Sequence, residues 1–246
     1  MSDALSPCNM EPPADATRAL VLSSGGVDSS VCLALAVTWL GAENVTSVSV
    51  FYGQKHKREL ESASAIAAHY GVAHRTLDLS AILADSNNAL MASSTQQIAH
   101  DTYAHQIEDS ENGIVNTYVP FRNGLILSAA AALAMSIFPG QNIALLLGAH
   151  ADDAAGDAYP DCSPAFTNSM GDAISIGTYG RVRLVAPFVN ATKAAVVACG
   201  LELGVPFQLT WSCYEGGTVA CGTCATCLDR KAAFRMNGVE DPIEYA

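Results

Sequence analysis

The sequence predicts an α/β fold: a doubly wound, mostly parallel sheet of Rossmann-like form carrying a small C-terminal zinc-binding region. Three observations predict it. Short apolar runs alternate with helix-length stretches, a Gly-Gly turn joins the first such run to the first helix, and a cysteine cluster occupies the last 35 residues of the chain. Strands separated by helices must be joined by crossovers, which makes them parallel and covers both sheet faces. Such strands therefore read as unbroken apolar runs rather than alternating ones.

Each element follows in order. Residues 1–17, rich in acids and prolines, are expected as a flexible tail. RALVLSS (18–24) reads as the first strand and VDSSVCLALAVTWL (27–40) as the first helix. NVTSVSVFY (44–52) is β-branched and strand-like, and KRELESASAIAAHY (57–70) has helical periodicity. HRTLDLS (74–80) is the third strand. Residues 85–118, rich in Asn, Ser, Thr and Gln, have weak periodicity and read as a lid, a substrate loop or a disordered stretch. RNGLILSAAAALAMSIF (122–138) is an apolar helix, NIALLLGA (142–149) a buried strand and RVRLVAPF (181–188) a strand or extended segment. The helix after it, 192–204, stops at Gly204 and Pro206, and a short helix is expected over 228–237. The body is thus placed at 18–205 and the zinc-binding region at 206–246.

Composition excludes several functions. Of 246 residues, 24 are acidic and 12 are Lys or Arg, a formal net charge of −12. That balance opposes a broad phosphate-neutralising surface, so no stable nucleic-acid partner is expected. The N-terminus has no basic segment before an apolar core, and the longest apolar run, residues 125–138, suits a buried helix better than a membrane span. A cytoplasmic location with no membrane partner is expected. Its eight cysteines are then expected as thiols or metal ligands rather than a disulfide framework, with Cys8, Cys32 and Cys199 as tail or core residues.

The turn between the first strand and first helix is the richest in chemistry. In Ser23-Ser24-Gly25-Gly26-Val27-Asp28-Ser29-Ser30 the glycines allow close backbone approach to a ligand, and the helix start offers free N–H groups and a positive dipole end. The serines add hydroxyl donors. Asp28 beside a polyphosphate implies a Mg²⁺ ion that offsets the repulsion. Cys213, Cys221, Cys224 and Cys227 follow the spacing C-x7-C-x2-C-x2-C, which suits a closed tetrahedral shell and a structural Zn²⁺; an iron–sulfur cluster is the competing occupant.

The glycine turn resembles the SGGxDS loop of the adenine-nucleotide α-hydrolases, matching it from Ser24 to Ser29, which implies that it grips the pyrophosphate of ATP. With FYGQKHKRE (51–59), TYVPFRN (117–123), GAHADD (148–153), YPDC (159–162), TWSCYEG (210–216), CGTCATC (221–227) and DPIEY (241–245), the chain resembles the 7-cyano-7-deazaguanine synthase family over roughly residues 18–243. The resemblance implies conversion of 7-carboxy-7-deazaguanine and ammonia to the nitrile at the expense of ATP, through an adenylated carboxylate and an amide. It also implies a homodimer.

Two anions held together need cations. Arg122, at a helix start where the dipole disfavours it, and Lys193 are the candidates, with Lys55, His56 and Arg58 behind them. Asp161 is a candidate for the guanine-like edge of the substrate, and Cys162 for a nucleophile or a packing group. His150, Asp152 and Asp153 are candidates for Mg²⁺ or proton transfer. Two departures from the family pattern stand out: Ser163 follows YPDC where many members have Arg, and AAGDA (154–158) lengthens the stretch before Tyr159. They keep open a related enzyme that stops at the amide or passes the activated acyl group to a macromolecule. A tRNA-modifying relative and a nucleotide sensor without turnover also stay open.

Overall fold

The computed structural model describes residues 8, 10–154 and 158–246. Five parallel strands form one sheet: β1 (Arg18–Leu22), β2 (Val45–Phe51), β3 (Ala73–Asp78), β4 (Ile143–Leu146) and β5 (Val182–Val185). Their order is β3-β2-β1-β4-β5. Chain order runs outward from β1 to β3, then returns to β4 on the other side of β1. The crevice between β1 and β4 is therefore the topological switch point, where loops leaving adjacent strands part to opposite faces and leave room for a ligand.

Register and burial show why these runs are apolar on both faces. Leu20 pairs with Leu145, and Ala19 with Ala144. Ala19, Val21, Ala144 and Leu146 pack beneath α1 (Val27–Leu40) and α7 (Lys193–Glu202). Leu20, Leu22, Ile143 and Leu145 pack on the opposite side with Leu127, Ala130 and Ala134 of α4 (Arg122–Ile137) and Ile174 of α6 (Pro164–Gly177). α2 (Arg58–His69) completes the first layer through Ile66.

The predicted elements occur with slightly shorter strands. α6 was not expected. Its start is marked by Ser163, whose hydroxyl accepts from the Phe166 N–H at 3.2 Å, with Pro164 in the first turn. Residues 85–118 hold only the short α3 (Tyr103–Glu108), yet they pack closely. Lys55 N–H donates to Leu90 O at 2.8 Å, and Leu90, Met91 and Ile98 are buried with Trp211 and the cysteine cluster. The short α5 (Ala151–Ala154) follows β4, and most of the AAGDA stretch lies outside the described residues. α8 (Ala225–Met236) begins three residues earlier than expected, directly at Cys224.

One expectation is corrected. Cys8 and Cys199 are disulfide-bonded, with Cα atoms 5.3 Å apart, so they are not free thiols. The other six cysteines are free. Of the segment expected as a tail, the described residues 8 and 10–17 lie against the body, where Trp39 Nε1 also donates to Met10 O at 2.9 Å.

The C-terminal segment is locked by a buried ion. Arg230, fully enclosed, donates to both oxygens of Asp241 at 2.7 and 2.8 Å, to Thr210 Oγ1 at 2.6 Å and to Phe207 O at 3.2 Å. Every partner of the guanidinium is thus an oxygen, and together they come from two other stretches of chain, residues 207–210 and Asp241. Arg230→Ala would strand the Asp241 carboxylate in the interior, where an unpaired charge costs about 3–5 kcal/mol. A urea midpoint lowered accordingly at unchanged slope is expected; a midpoint within about 1 kcal/mol of wild type would contradict it.

Candidate active site

The glycine turn meets the end of β4 at the switch point. Gly25 has φ +80°, and a Cβ there would come within 2.3 Å of Glu59 O and 2.7 Å of Ala63 N, so only glycine lets the turn rest on α2. Gly148 serves the same purpose from β4: a Cβ there would sit 2.9 Å from Ser29 N. The N-cap of α1 is Gly26, with no side chain capping it. α3, α6 and α7 are each capped by a hydroxyl, from Thr102, Ser163 and Thr192. The start of α1, at the crevice, carries no such cap and is open to an anion. Ser24 and Ser29 hold the turn in shape, the Ser24 N–H donating to Ser29 Oγ at 3.2 Å, and Ser30 Oγ donates back to Gly26 O at 2.8 Å.

A cavity of about 230 Å³ opens beside this turn. Ser23, Ser24, Gly26, Asp28 and Ser29 line it, together with Arg122, Asp153, Cys162 and Lys193. Gly25, Val27 and Ser30 shape the turn from behind. At this end the charges are paired. Lys193 Nζ donates to Asp28 Oδ2 at 2.5 Å and lies 3.3 Å from His150 Nε2, which is itself 3.3 Å from Asp153 Oδ1. Burial acts to raise the Asp28 carboxyl, but the Lys193 ammonium and His150 outweigh it and hold the group below the ordinary carboxylate range. Burial prevails at Asp153, whose carboxyl is pushed up. Asp28 Oδ1 is buried without a hydrogen-bond partner, 3.8 Å from His150 Nε2, and an orphaned carboxylate acceptor here suits a divalent cation. Asp152 is used differently, accepting from the Lys193 backbone N–H at 2.7 Å.

The far end differs. Arg122 Nη1 donates to Tyr52 Oη at 3.4 Å and its guanidinium stacks 5.6 Å from that ring, but no carboxylate pairs with it among the described residues. Tyr159, Tyr214 and Trp211 complete this wall, with Tyr103 joined behind them through its hydroxyl bond to Tyr214. Tyr52 is driven up to about 12, chiefly by burial. Cys162 lines the cavity as a neutral thiol: burial and the neighbouring Asp153 and Asp161 push its pKa up, and Asn123 Nδ2 donates to the sulfur at 3.3 Å. Asp161 does not line the cavity. Its Oδ2 accepts from the Asn123 backbone N–H at 2.9 Å and so fixes the start of α4, next to Arg122.

Several other expected cations point elsewhere. Lys55 Nζ donates to Gln96 O at 2.7 Å, His56 packs on Gly216, and Arg58 stacks on Trp211 and pairs with Glu61. Ser163 caps α6 and is absent from the cavity wall. Glu59, Tyr52, Tyr159, Trp211 and Tyr214 do line the cavity and were not singled out from sequence. Each lies within a conspicuous motif, but only the fold shows which motif residues face inward.

The cysteine cluster closes one side. The four sulfurs of Cys213, Cys221, Cys224 and Cys227 lie within 4.8 Å of one another, and Cys221 Sγ is 4.0 Å from Cys227 Sγ. A tetrahedral Zn²⁺ at about 2.3 Å from each thiolate requires sulfurs about 3.8 Å apart, so the group fits. The Cys221 and Cys224 N–H groups each donate to a ligand sulfur at 3.3 Å. This metal-binding knot is tied to the glycine turn, because the Trp211 N–H donates to Gly25 O at 2.8 Å. Cys224→Ala or chelation should therefore lower Tm by about 10 °C or more and weaken nucleotide binding together. Unchanged melting in a chelated, metal-free protein would sink the structural role.

The Queuosine biosynthesis protein QueC family model matches residues 18–238. A 7-cyano-7-deazaguanine synthase of Chromohalobacter salexigens is 39% identical over 234 residues, 95% of this chain and 88% of that protein. One of Thermoplasma acidophilum is 41% identical over 232 residues, 93% and 92% of the two chains. Among solved structures, an NMN synthetase from Francisella tularensis aligns with 92% of this chain and 79% of its own, at a TM-score of 0.49 and 16% identity.

Proposed function

This chain belongs to the Queuosine biosynthesis protein QueC family, and from that premise we propose that it is an ATP-dependent carbon–nitrogen ligase. It converts 7-carboxy-7-deazaguanine and ammonia to 7-cyano-7-deazaguanine. The observation that carries this reading is a single cavity with an open helix N-terminus and Lys193 at one end and an unpaired guanidinium, Arg122, at the other. A reaction between a polyphosphate and a carboxylate needs both anions held close, and these two ends supply the separate receptors.

In this reading the Ser23–Ser30 turn takes the phosphates of ATP through its backbone N–H and hydroxyl groups. Lys193 neutralises phosphate charge, and Asp28 with Asp153 would hold Mg²⁺, which when bound offsets the remaining repulsion. Arg122 receives the substrate carboxylate and is the cation that stands in for the one absent at Ser163. Asp161 acts on the substrate end by fixing the start of α4 rather than by direct contact. Cys162 packs against substrate as a thiol. Zn²⁺ in the four-cysteine knot holds Trp211 and Tyr214 against the cavity.

The steps follow from the chemistry. A carboxylate oxygen attacks the α-phosphorus, pyrophosphate leaves, and the poor leaving group becomes an acyl adenylate. Ammonia displaces AMP to give the amide. A second adenylation, now on the amide oxygen, allows loss of AMP with formation of the nitrile. The cytoplasmic location and homodimer expected from sequence belong to the same reading, and sedimentation velocity reads the second.

Mass spectrometry of protein mixed with ATP, Mg²⁺, ammonium and 7-carboxy-7-deazaguanine should detect amide, then nitrile, with AMP. Amide alone, or label carried onto a macromolecule, would favour a diverted reaction. Asp28→Ala and Lys193→Met should each lower turnover at least 100-fold in a folded protein; near-normal rates would remove them from the site. Cys162→Ser should retain turnover within about tenfold, because a thiol kept protonated is no nucleophile. Complete loss in a folded variant would restore covalent catalysis.

A further inference from the structure

We propose that Glu59 is the base that accepts the N–H protons of the attacking nitrogen, an assignment that rests on the ligase reading above. Three carboxylates line the cavity, from Asp28, Asp153 and Glu59. The first two are engaged by Lys193 and His150. Glu59 sits in the first turn of α2, half-buried, and its carboxylate has no hydrogen-bond or ion-pair partner among the described residues. The neighbouring Arg58 is turned to Glu61 and Trp211, and Arg122 is bonded to Tyr52.

Placement supports the assignment as much as vacancy does. The backbone carbonyl of Glu59 lies against Gly25, which puts this residue beside the glycine turn, and Glu59 lines the cavity. Arg122, the proposed carboxylate receptor, is the ionisable group that acts on it, and Glu59 in turn acts on Tyr52. A nucleophile held by Glu59 is therefore close to the carbon that Arg122 orients. Burial pushes the Glu59 carboxyl up to about 7, with Arg122 partly opposing that rise. Its proton exchanges near neutrality, whereas the Tyr52 hydroxyl and the Cys162 thiol keep theirs.

Both nitrogen steps release a proton that this carboxylate takes. In the first, a C–N bond forms at the acyl carbon, the C–O bond to AMP breaks, and the surplus ammonia proton passes to Glu59. In the second, the adenylated amide loses an N–H proton to the same oxygen while the C–O bond to AMP breaks and the C–N triple bond forms. An anionic Glu59 also attracts ammonium, the main form of this co-substrate in neutral water, into the cavity.

Glu59→Gln separates base from binder. Isotope exchange between pyrophosphate and ATP, driven by 7-carboxy-7-deazaguanine without ammonia, reports adenylation alone. It should stay within about threefold of wild type, while amide formation at pH 7 falls 100- to 1,000-fold. Expressed per free ammonia, the wild-type rate should rise through about pH 7 and level off, because only the ionised carboxylate accepts a proton; the variant should lack that limb. Hydroxylamine, a neutral nucleophile at pH 7, should restore acyl transfer as the hydroxamate, and Glu59→Asp should restore part of the ammonia rate. Equal loss of exchange and amidation would overturn the proposal by making Glu59 a substrate-binding group, and undiminished amidation would overturn it outright. Absence of exchange in the wild-type protein would overturn the ligase reading itself.

Discussion

The contact between Lys193 and Asp28 is what the glycine-turn end of the cavity depends on. Lys193 opens α7 and Asp28 lies in the first turn of α1, so the ion pair bridges two helix starts on either side of the switch point. A cation at the start of a helix opposes the dipole, and Asp28 together with Asp152 compensates it. Without that pairing the ammonium would lack a fixed position, and the carboxylate would remain enclosed against the force of burial. His150, only 2% exposed, couples the pair to Asp153 and hence to the end of β4. The charges around the glycine turn thus form one unit, held by three elements that the sheet order brings together.

A second constraint is imposed from the C-terminus. Residues 210–227 carry few large apolar side chains besides Trp211 and Tyr214, both of which line the cavity. Burial alone gives such a stretch small reason to hold one shape. Four converging cysteines supply the missing order, and the Trp211–Gly25 hydrogen bond passes it to the turn. Arg230 and Asp241 then close the segment behind the metal knot. Residues 85–118 use the same scaffold, packing Leu90, Met91 and Ile98 onto the cysteine region in place of regular secondary structure.

Much of this was legible in the sequence because its signals are local. The glycine turn, the apolar strands and the four-cysteine spacing each declare themselves within fifteen residues, and Arg122 does so as a cation in an unfavourable helix position. α6 was not legible, because Ser163 and Pro164, which start it, directly follow the YPDC motif and read more readily as a substrate position. The pairing of Cys8 with Cys199 joins residues far apart in the chain, and no spacing rule reaches across that distance. The inward direction of Glu59 and the outward direction of its neighbour Arg58 depend on the angle at which α2 meets Gly25, which only the fold fixes.

The two ends of the cavity solve opposite electrostatic problems. In the proposed reading negative charge arrives with the ligand at the glycine turn, where the protein has an open helix start and an ammonium, and leaves one carboxylate oxygen of Asp28 without a protein partner. At the Arg122 end, the ligand brings a carboxylate while the second co-substrate in neutral water is mainly a cation. A guanidinium alone would bind the first and repel the second. A carboxylate alone would do the reverse. In the proposed reading Arg122 and Glu59, which both line the cavity, meet both demands, provided they do not pair with each other, and in this structure Tyr52 is the group bonded to the guanidinium. Aromatic walls from Tyr159, Tyr214 and Trp211 limit the water around them, which strengthens each charge's hold on its partner. The order of the strands, the metal knot and the unpaired charges are thus parts of a single requirement, to hold two anions and one nitrogen nucleophile in one enclosed space.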